Sequence, residues 1–357
     1  MVYAVVVAGG YATRLRPLSL TLPKALFPIL GKPIIDYTID GLLQISPSRI
    51  LIAARVMADR LINYYKGTGI TFEVEKEPLG DGGSLGVIVR KFNINEPVVV
   101  VYGDIYSEMD YSELLKFHEK HNCECTLVST RVKDPRRYGV IIKKDNYVEN
   151  IIEKPSENIS DLINAGIYVF RPKVLANISG KVSIARDILP SLLRNGCIAA
   201  YEYKGIWADI GVPKAYMKLN ADLLITKYPR GYISNSAKIS EKTTLYPPYF
   251  IDNNTNIRED SVIEPLTVIG KDNEIGKMVF LSESVLMDRI NVGDSTFIKS
   301  SIIGNNTKIG KWVHIREDSI LGEEVIINDT VLLNQNTIVL PNKEISSSIY
   351  ERGRIIL

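Results

Sequence analysis

The chain has 357 residues, 45% of them hydrophobic and 24% charged, and a formal net charge of +2. Such a composition describes an ordinary water-soluble protein with room for two domains, and the near-neutral balance argues against a nucleic-acid-binding surface. With no N-terminal signal pattern and no apolar run long enough to cross a bilayer, the expected location is the cytoplasm, with no membrane partner.

The apolar run Tyr3 to Ala8 reads as a buried parallel strand that Gly9 and Gly10 end with a backbone able to approach a ligand closely. There follows "YATRLRPLSLTLPK", with Arg14, Arg16 and Lys24 in one short loop. Prolines at 17, 23 and 28 exclude an ordinary helix from 14 to 30, so the cations are expected on an extended, stiffened loop. Bare amides followed by three cations at the carboxyl end of a first strand suit a polyanion. Neither the P-loop nor the dinucleotide fingerprint fits, since the required lysine-hydroxyl pair and third glycine are missing. Taken alone, the stretch also reads as a solvated basic turn.

Helical patterns over Ile34–Gln44, Met57–Tyr65, Leu85–Phe92 and Tyr111–His121 alternate with β-rich runs at Arg49–Ala54, Thr71–Glu75, Val98–Tyr102 and Cys125–Arg131. This alternation predicts an α/β fold with right-handed crossovers, a mostly parallel sheet, and a ligand beyond the carboxyl ends of its strands. "VVVVYGDIYS" delivers Asp104 to that crevice, and "GIWADIGVPKAY" places Asp209 at another strand-end turn. Either aspartate alone reads as a cap or turn residue. Two carboxylates beside several cations make sense with a hard divalent metal between them and a polyphosphate. Cys123, Cys125 and Cys197 have no second pair or histidine cluster at zinc spacing, so reduced thiols are expected. His118, His121 and His314 read as surface or packing residues.

After "TKYPRGYISNS" the pattern changes to a period of six, with aliphatic residues at 239, 245, 251, 257, 263, 269, 275 and 281, then Met287. It slips by one, resumes at Val292 and Ile298, slips again, and continues from Ile303 to Val339. Hexapeptide repetition is the signature of a parallel β-helix, and the slips are expected to be loops or bulges at corners. The expected organisation is a catalytic domain over residues 1–230 and a β-helix over 231–357. Open ends and exposed strand edges on such a solenoid predict a homo-oligomer assembled through it.

Together, "AGGYATRLRPLSLTLPK", "EPLGDGGSL", "YGDIYS", "YGVI", "IIEKPS", "INAGIYVF" and "WADIGVPKAY" resemble, in order, the sugar-phosphate nucleotidyltransferase family. The hexads resemble the left-handed β-helix of hexapeptide-repeat transferases, and "LGEEVIINDTVLLNQNTIVLPNKEI" resembles the C-terminal end of mannose-1-phosphate guanylyltransferases. This likeness implies a Rossmann-like nucleotidyltransferase domain followed by a left-handed parallel β-helix. It implies attack by a sugar 1-phosphate on the α-phosphorus of a nucleoside triphosphate, here GTP with mannose 1-phosphate. Mg²⁺ is the implied cofactor. Alternatives in the same terms are a glucose-1-phosphate nucleotidyltransferase using dTTP or UTP, a non-catalytic nucleotide-sugar-binding subunit, and an acyltransferase carried by the β-helix.

By the same likeness, Ala8, Gly9, Gly10, Glu77 and Gly80 would meet the nucleotide, and Arg14 and Lys24 would grip its triphosphate. Asp104 and Asp209 would hold the metal, while Gly139, Glu153, Lys154, Asn164 and Gly166 would meet the sugar phosphate. Arg16 is left either on the phosphates or in a structural pair. The chain departs from the family pattern at Ala12, where glycine is usual. It also has Gly80-Asp81-Gly82 for Gly-Thr-Ala, and Ala185-Arg186 for Glu-Lys.

Overall fold

In the computed structural model, which describes residues 1–357, β1 (Tyr3–Ala8) lies inside a nine-stranded sheet. A small hairpin, β2 (Pro28–Ile29) and β3 (Lys32–Pro33), precedes α1 (Ile34–Gln44), β4 (Arg49–Ala54), α2 (Ala58–Tyr64), β5 (Thr71–Val74) and α3 (Gly80–Lys91). Then come β6 (Val98–Tyr102), β7 (Ile105–Ser107), α4 (Tyr111–His121), β8 (Cys125–Arg131), β9 (Gly139–Lys144), β10 (Tyr147–Glu153) and β11 (Leu162–Phe170). The segment closes with α5 (Pro172–Ala176), α6 (Leu189–Asn195), β12 (Ile198–Glu202), β13 (Trp207–Asp209) and α7 (Pro213–Lys227).

Strand order is β5-β4-β1-β6-β11-β8-β12-β10-β9. Pairing is parallel from β5 through β6, as the alternating pattern requires. Beyond β6 the sheet is mixed, with β11 antiparallel to both β6 and β8, β12 parallel to β8, and β9–β10 an antiparallel hairpin. The central strands are continuous apolar runs covered on both faces, which is why Val5, Val6, Leu51, Val99 and Val100 are fully buried.

The loop after β1 is not extended. It coils into single 3₁₀ turns at Thr13–Leu15, Leu18–Leu20 and Lys24–Leu26, which bury Leu15, Leu18 and Leu26 between prolines that bar a longer helix. Helix α3 begins well before the apolar pattern does. Its glycines at 82, 83 and 86 face Ile188, Gly180 and Ile178 so closely that an added Cβ would fall within 3 Å of those neighbours.

From Tyr232 onward the chain is a left-handed parallel β-helix of three parallel sheets, with eight, seven and six strands. Ile257, Ile275, Val292, Ile309 and Ile327 stack in successive coils. The slips prove to be shortened corners rather than loops or bulges. Leu286, not Met287, pairs with Ile269 and Ile303, and one residue is missing between Leu281 and Leu286 and again between Ile298 and Ile303. Each short corner is closed by a serine, Ser284 bonding the Ser282 carbonyl at 2.7 Å and Ser301 that of Lys299 at 2.7 Å.

By its contacts the chain divides into two units. The first holds Met1–Tyr11, Lys24–Leu26 and Ile34–Asp209; the second holds Ala12–Pro23, Phe27–Pro33 and Ile210–Leu357. In the second unit the hairpin β2–β3 is anchored by the Leu30 amide on Asn220 Oδ1 at 3.0 Å and by the Tyr216 hydroxyl on the Pro28 carbonyl at 2.8 Å.

The expectation of reduced thiols is overturned for two of the three cysteines. Cys123 and Cys197 form a disulfide, because the end of α4 and the start of β12 bring their Cα atoms to 5.2 Å, while Cys125 is a buried free thiol. The bridge spans 74 residues of sequence, so in the chain-entropy picture its removal costs up to about 4 kcal/mol. Cys197→Ser is expected to lower the denaturation midpoint and to make it insensitive to reductant, whereas the parent chain should lose stability when reduced. Identical midpoints for the parent chain with and without reductant would contradict this.

Candidate active site

At the carboxyl end of β6 the chain turns through Gly103, whose amide donates to the Val7 carbonyl at 2.9 Å and ties the turn to β1. Asp104 follows, then β7, which pairs antiparallel with β13 so that Asp209 stands opposite Ile105. This two-strand ladder brings two carboxylates from distant sequence together. Lys24 lies between them, its Nζ 2.5 Å from Asp104 Oδ2 and 2.9 Å from Asp209 Oδ1. The lysine side chain is only 13% exposed. Burial works against its charge, but the charges of Asp104 and Asp209 and the hydrogen bonds to both outweigh that cost, leaving its pKa raised.

Two aspartates are a hard-oxygen donor pair, and no third acid, histidine or cysteine joins them. That set is too small for a closed all-protein cage. It suits a Mg²⁺ ion that keeps waters and takes its remaining ligands from phosphates.

Of the residues that the family likeness assigns to the nucleotide, Gly9 packs beside Arg55 and Glu75, and Gly10 is open to solvent with nothing near the place of a Cβ. Arg55 spreads over the exposed Tyr11 ring, 4.7 Å from its centroid. Glu75, which the sequence reading passed over, is the acid that turns toward this strand end. Burial raises its pKa, opposed by the Leu79 amide and the Arg55 charge. Glu77 is exposed and Gly80 opens α3 at a φ of +72°. Asp81 is not free to read a base or repel a phosphate. Its Oδ1 accepts from the amides of Gly82 at 3.0 Å and Ile184 at 2.9 Å, and its Oδ2 accepts from the Tyr102 hydroxyl at 2.5 Å.

Ala12 adopts a left-handed conformation, φ +48°, where a glycine would rest at less cost. Its carbonyl accepts from Ser19 Oγ at 2.8 Å. Arg14 and Arg16 are exposed and pair with no carboxylate, so Arg16 does not hold a structural ion pair.

The residues that the family likeness assigns to the sugar phosphate converge within the first unit. Gly139 pairs with Glu153 across β9–β10, and an added Cβ at Gly139 would sit 2.9 Å from Glu153 Oε2 and 3.8 Å from Asn164 Cβ. Lys154 has a left-handed φ of +48°, its amide bonds the Tyr138 carbonyl at 3.0 Å, and its Nζ lies 3.7 Å from Glu153 Oε1. Asn164 Oδ1 accepts from the Gly166 amide at 3.0 Å, and its Nδ2 donates to the Tyr168 hydroxyl at 2.8 Å, across an irregularity in β11.

Aromatic neighbours absent from the sequence reading complete the wall. Trp207, two residues before Asp209, donates to the Ala165 carbonyl at 3.0 Å and meets Tyr138 edge-on at 5.4 Å. Arg137, just before this segment, keeps a buried Nη2 without an acceptor. Its place between a capped turn and Gly139 was the only sequence signal available. Ala185 and Arg186 fall in a π-helical turn, Ile184–Ile188, with Arg186 exposed.

Comparison with known proteins is consistent along the whole length. A family model described as nucleotidyl transferase matches residues 3–225, and one described as the GMPPB C-terminal domain matches residues 245–356. A Sulfolobus acidocaldarius protein, provisionally named a mannose-1-phosphate guanyltransferase, is 48% identical with 100% of each chain covered. The Schizosaccharomyces pombe mannose-1-phosphate guanyltransferase is 33% identical over 99% of both. Among solved structures, HddC from Yersinia pseudotuberculosis complexed with GMP-PN aligns with a TM-score of 0.54 and 29% identity, covering 62% of this chain and 100% of that one.

Proposed function

We propose a reaction from one premise: the chain belongs to the nucleotidyl transferase family. The reaction is GTP plus mannose 1-phosphate giving GDP-mannose and pyrophosphate. The observation that carries it is Lys24 held between Asp104 and Asp209 at the strand end, in a unit that also assembles the sugar-side segments. The names of the full-length relatives support the choice of sugar and base.

In this reading a phosphate oxygen of the sugar attacks the α-phosphorus and a new P–O bond forms. The bond from the α-phosphorus to the oxygen bridging it to the β-phosphorus breaks, that oxygen leaving as a terminal oxygen of pyrophosphate. The attacking phosphate is ionised near neutral pH, so no general base is needed, and none of the three histidines has to serve. The chain's own work is positioning and charge neutralisation. Lys24 carries a charge that its two partners secure, and it can share that charge with a phosphate. Arg14 is assigned to the triphosphate from its motif. Gly9 and Gly10 offer close backbone approach, Glu77 and the backbone around Gly80 meet the base, and Glu153, Lys154 and Asn164 meet the sugar phosphate. Mg²⁺, held by Asp104 and Asp209, would supply charge stabilisation on the phosphate oxygens.

A panel of nucleoside triphosphates and sugar 1-phosphates scored by pyrophosphate release tests this directly. GTP with mannose 1-phosphate should exceed UTP or dTTP with any sugar by roughly tenfold or more in kcat/KM. Asp104→Asn and Asp209→Asn should each cut turnover by at least about a hundredfold with the fold intact. Better use of dTTP or UTP with glucose 1-phosphate would replace the assignment. Binding of nucleotide sugar without turnover would favour a regulatory subunit.

We also propose that the β-helix carries a homo-oligomer. Phe280, Phe297 and His314 stack on the outer face of its six-stranded sheet, with ring centroids 4.8 and 5.7 Å apart. Beside this ladder Met278 and Trp312, 54% and 60% exposed, occupy left-handed corner positions that the other coils fill with Asp260, Ser295 and Thr330. The adjoining charges are paired internally, Lys277 with Glu259 and Lys311 with Asp294, so a neutral face of the same kind is the fitting occupant. Trp312→Glu with Phe297→Glu should reduce the mass per particle in light scattering. An unchanged mass would place the interface elsewhere.

A further inference from the structure

The departure at Asp81 has a physical counterpart in the fold. The segment Leu79–Gly83 is stitched to Val182, whose carbonyl accepts from the amides of Gly82 at 3.0 Å and Gly83 at 3.2 Å, and whose amide donates to the Leu79 carbonyl at 2.9 Å. The Asp81 carboxylate extends that seam in two directions. One oxygen takes the amide of Ile184, the first residue of the π-helical turn that contains Ala185 and Arg186. The other takes the hydroxyl of Tyr102, the last residue of β6 and two residues before Asp104.

Tyr102 is in turn fitted to the sugar side. Its ring meets Tyr168 edge-on at 6.1 Å. Gly166, at φ +72°, lies so close that a Cβ there would fall 2.5 Å from Tyr102 Cδ2, and Asn164 holds this bend by bonding both the Gly166 amide and Tyr168. One partly buried hydrogen bond thus joins the segment assigned to the base, the strand that aims Asp104, and the bend assigned to the sugar phosphate.

We propose that Asp81 and Tyr102 act as a pair of positioning residues that set the base segment and the sugar bend relative to Asp104. The inference rests on the reaction proposed above. An acid in the first turn of a helix is by itself an ordinary stabiliser of the helix N-terminus. That plain role predicts a change in stability and nothing in the kinetics of Tyr102→Phe. The positioning role predicts that removing this one hydroxyl alters the use of both substrates. A bond from a partly buried hydroxyl to a carboxylate is strong enough for its loss to register as roughly tenfold.

The test uses the full-length protein, with kcat and KM measured for GTP and for mannose 1-phosphate, and thermal midpoints recorded in parallel. Tyr102→Phe deletes only the hydroxyl, and Asp81→Asn keeps an acceptor for the two amides. Each should fold with a midpoint near that of the parent and lose about tenfold in kcat/KM for both substrates, with part of the loss in kcat. The double variant should be no worse than the weaker single, because Tyr102→Phe removes the bond that Asp81→Asn has already reduced to a neutral amide–hydroxyl contact. Asp81→Thr, the residue of the family pattern, should behave like Tyr102→Phe. Parent-like kinetics for Tyr102→Phe, or losses that multiply in the double variant, would overturn the pairing. Absence of pyrophosphate release by the parent chain would instead fail the underlying reaction, and it is read from the same plates.

Discussion

One ammonium group between two carboxylates organises this protein. Lys24, Asp104 and Asp209 come from the loop after the first strand, the turn after β6 and the end of a two-strand ladder, and they meet within hydrogen-bond distance in a largely buried place. Burial of the ammonium works against its charge, and the two carboxylates more than offset that cost. The surrounding sheet is apolar on both faces, so charge is concentrated where its strands end. That contrast sets the cluster apart from the exposed ion pairs elsewhere on the chain.

The flanks of Lys24 follow a divided pattern. Residues 24–26 cluster with the sheet, while the segments on either side cluster with α7 and the β-helix. In that second unit the turn at Gly31, φ +75°, approaches the Asp252 carboxylate so closely that any Cβ would overlap it, and Asp252 itself is almost wholly buried. Burial raises the Asp252 pKa, opposed by the Asn253 amide and the Lys271 charge. Within the second unit, then, the first coils of the solenoid pack directly on the turn between β2 and β3.

Much of this was legible in the sequence where the signal is local. Continuous apolar runs gave β1, β4 and β6 at their observed limits, and the six-residue period gave the stacked aliphatic residues of the β-helix. The motifs gathered Gly139, Glu153 and Asn164, which the fold brings together. What escaped was non-local. Helix α3 starts at Gly80 rather than Leu85 because its glycines pack on residues near 180, a tertiary contact that overrides their poor helix propensity. The antiparallel half of the sheet depends on pairings of β9 to β12 that no periodicity encodes. The disulfide links cysteines 74 residues apart, and Asp81 finds its partner 21 residues away, so neither carries a local mark. A corner shortened by one residue leaves the period intact on both sides and moves only the register, from Met287 to Leu286.

The central claim is that the Asp104–Asp209 pair is a seat for a cation, filled by Lys24 when no nucleotide is bound. Titration of the nucleotide-free protein with Mn²⁺, followed by paramagnetic resonance of the free ion, tests it without any turnover. Lys24→Met should bind one Mn²⁺ at least about tenfold more tightly than the parent, a difference of about 1.4 kcal/mol, and adding Asp104→Asn to that variant should abolish the gain. Equal Mn²⁺ affinity in the parent and Lys24→Met, or a gain that survives the loss of Asp104, would contradict the account.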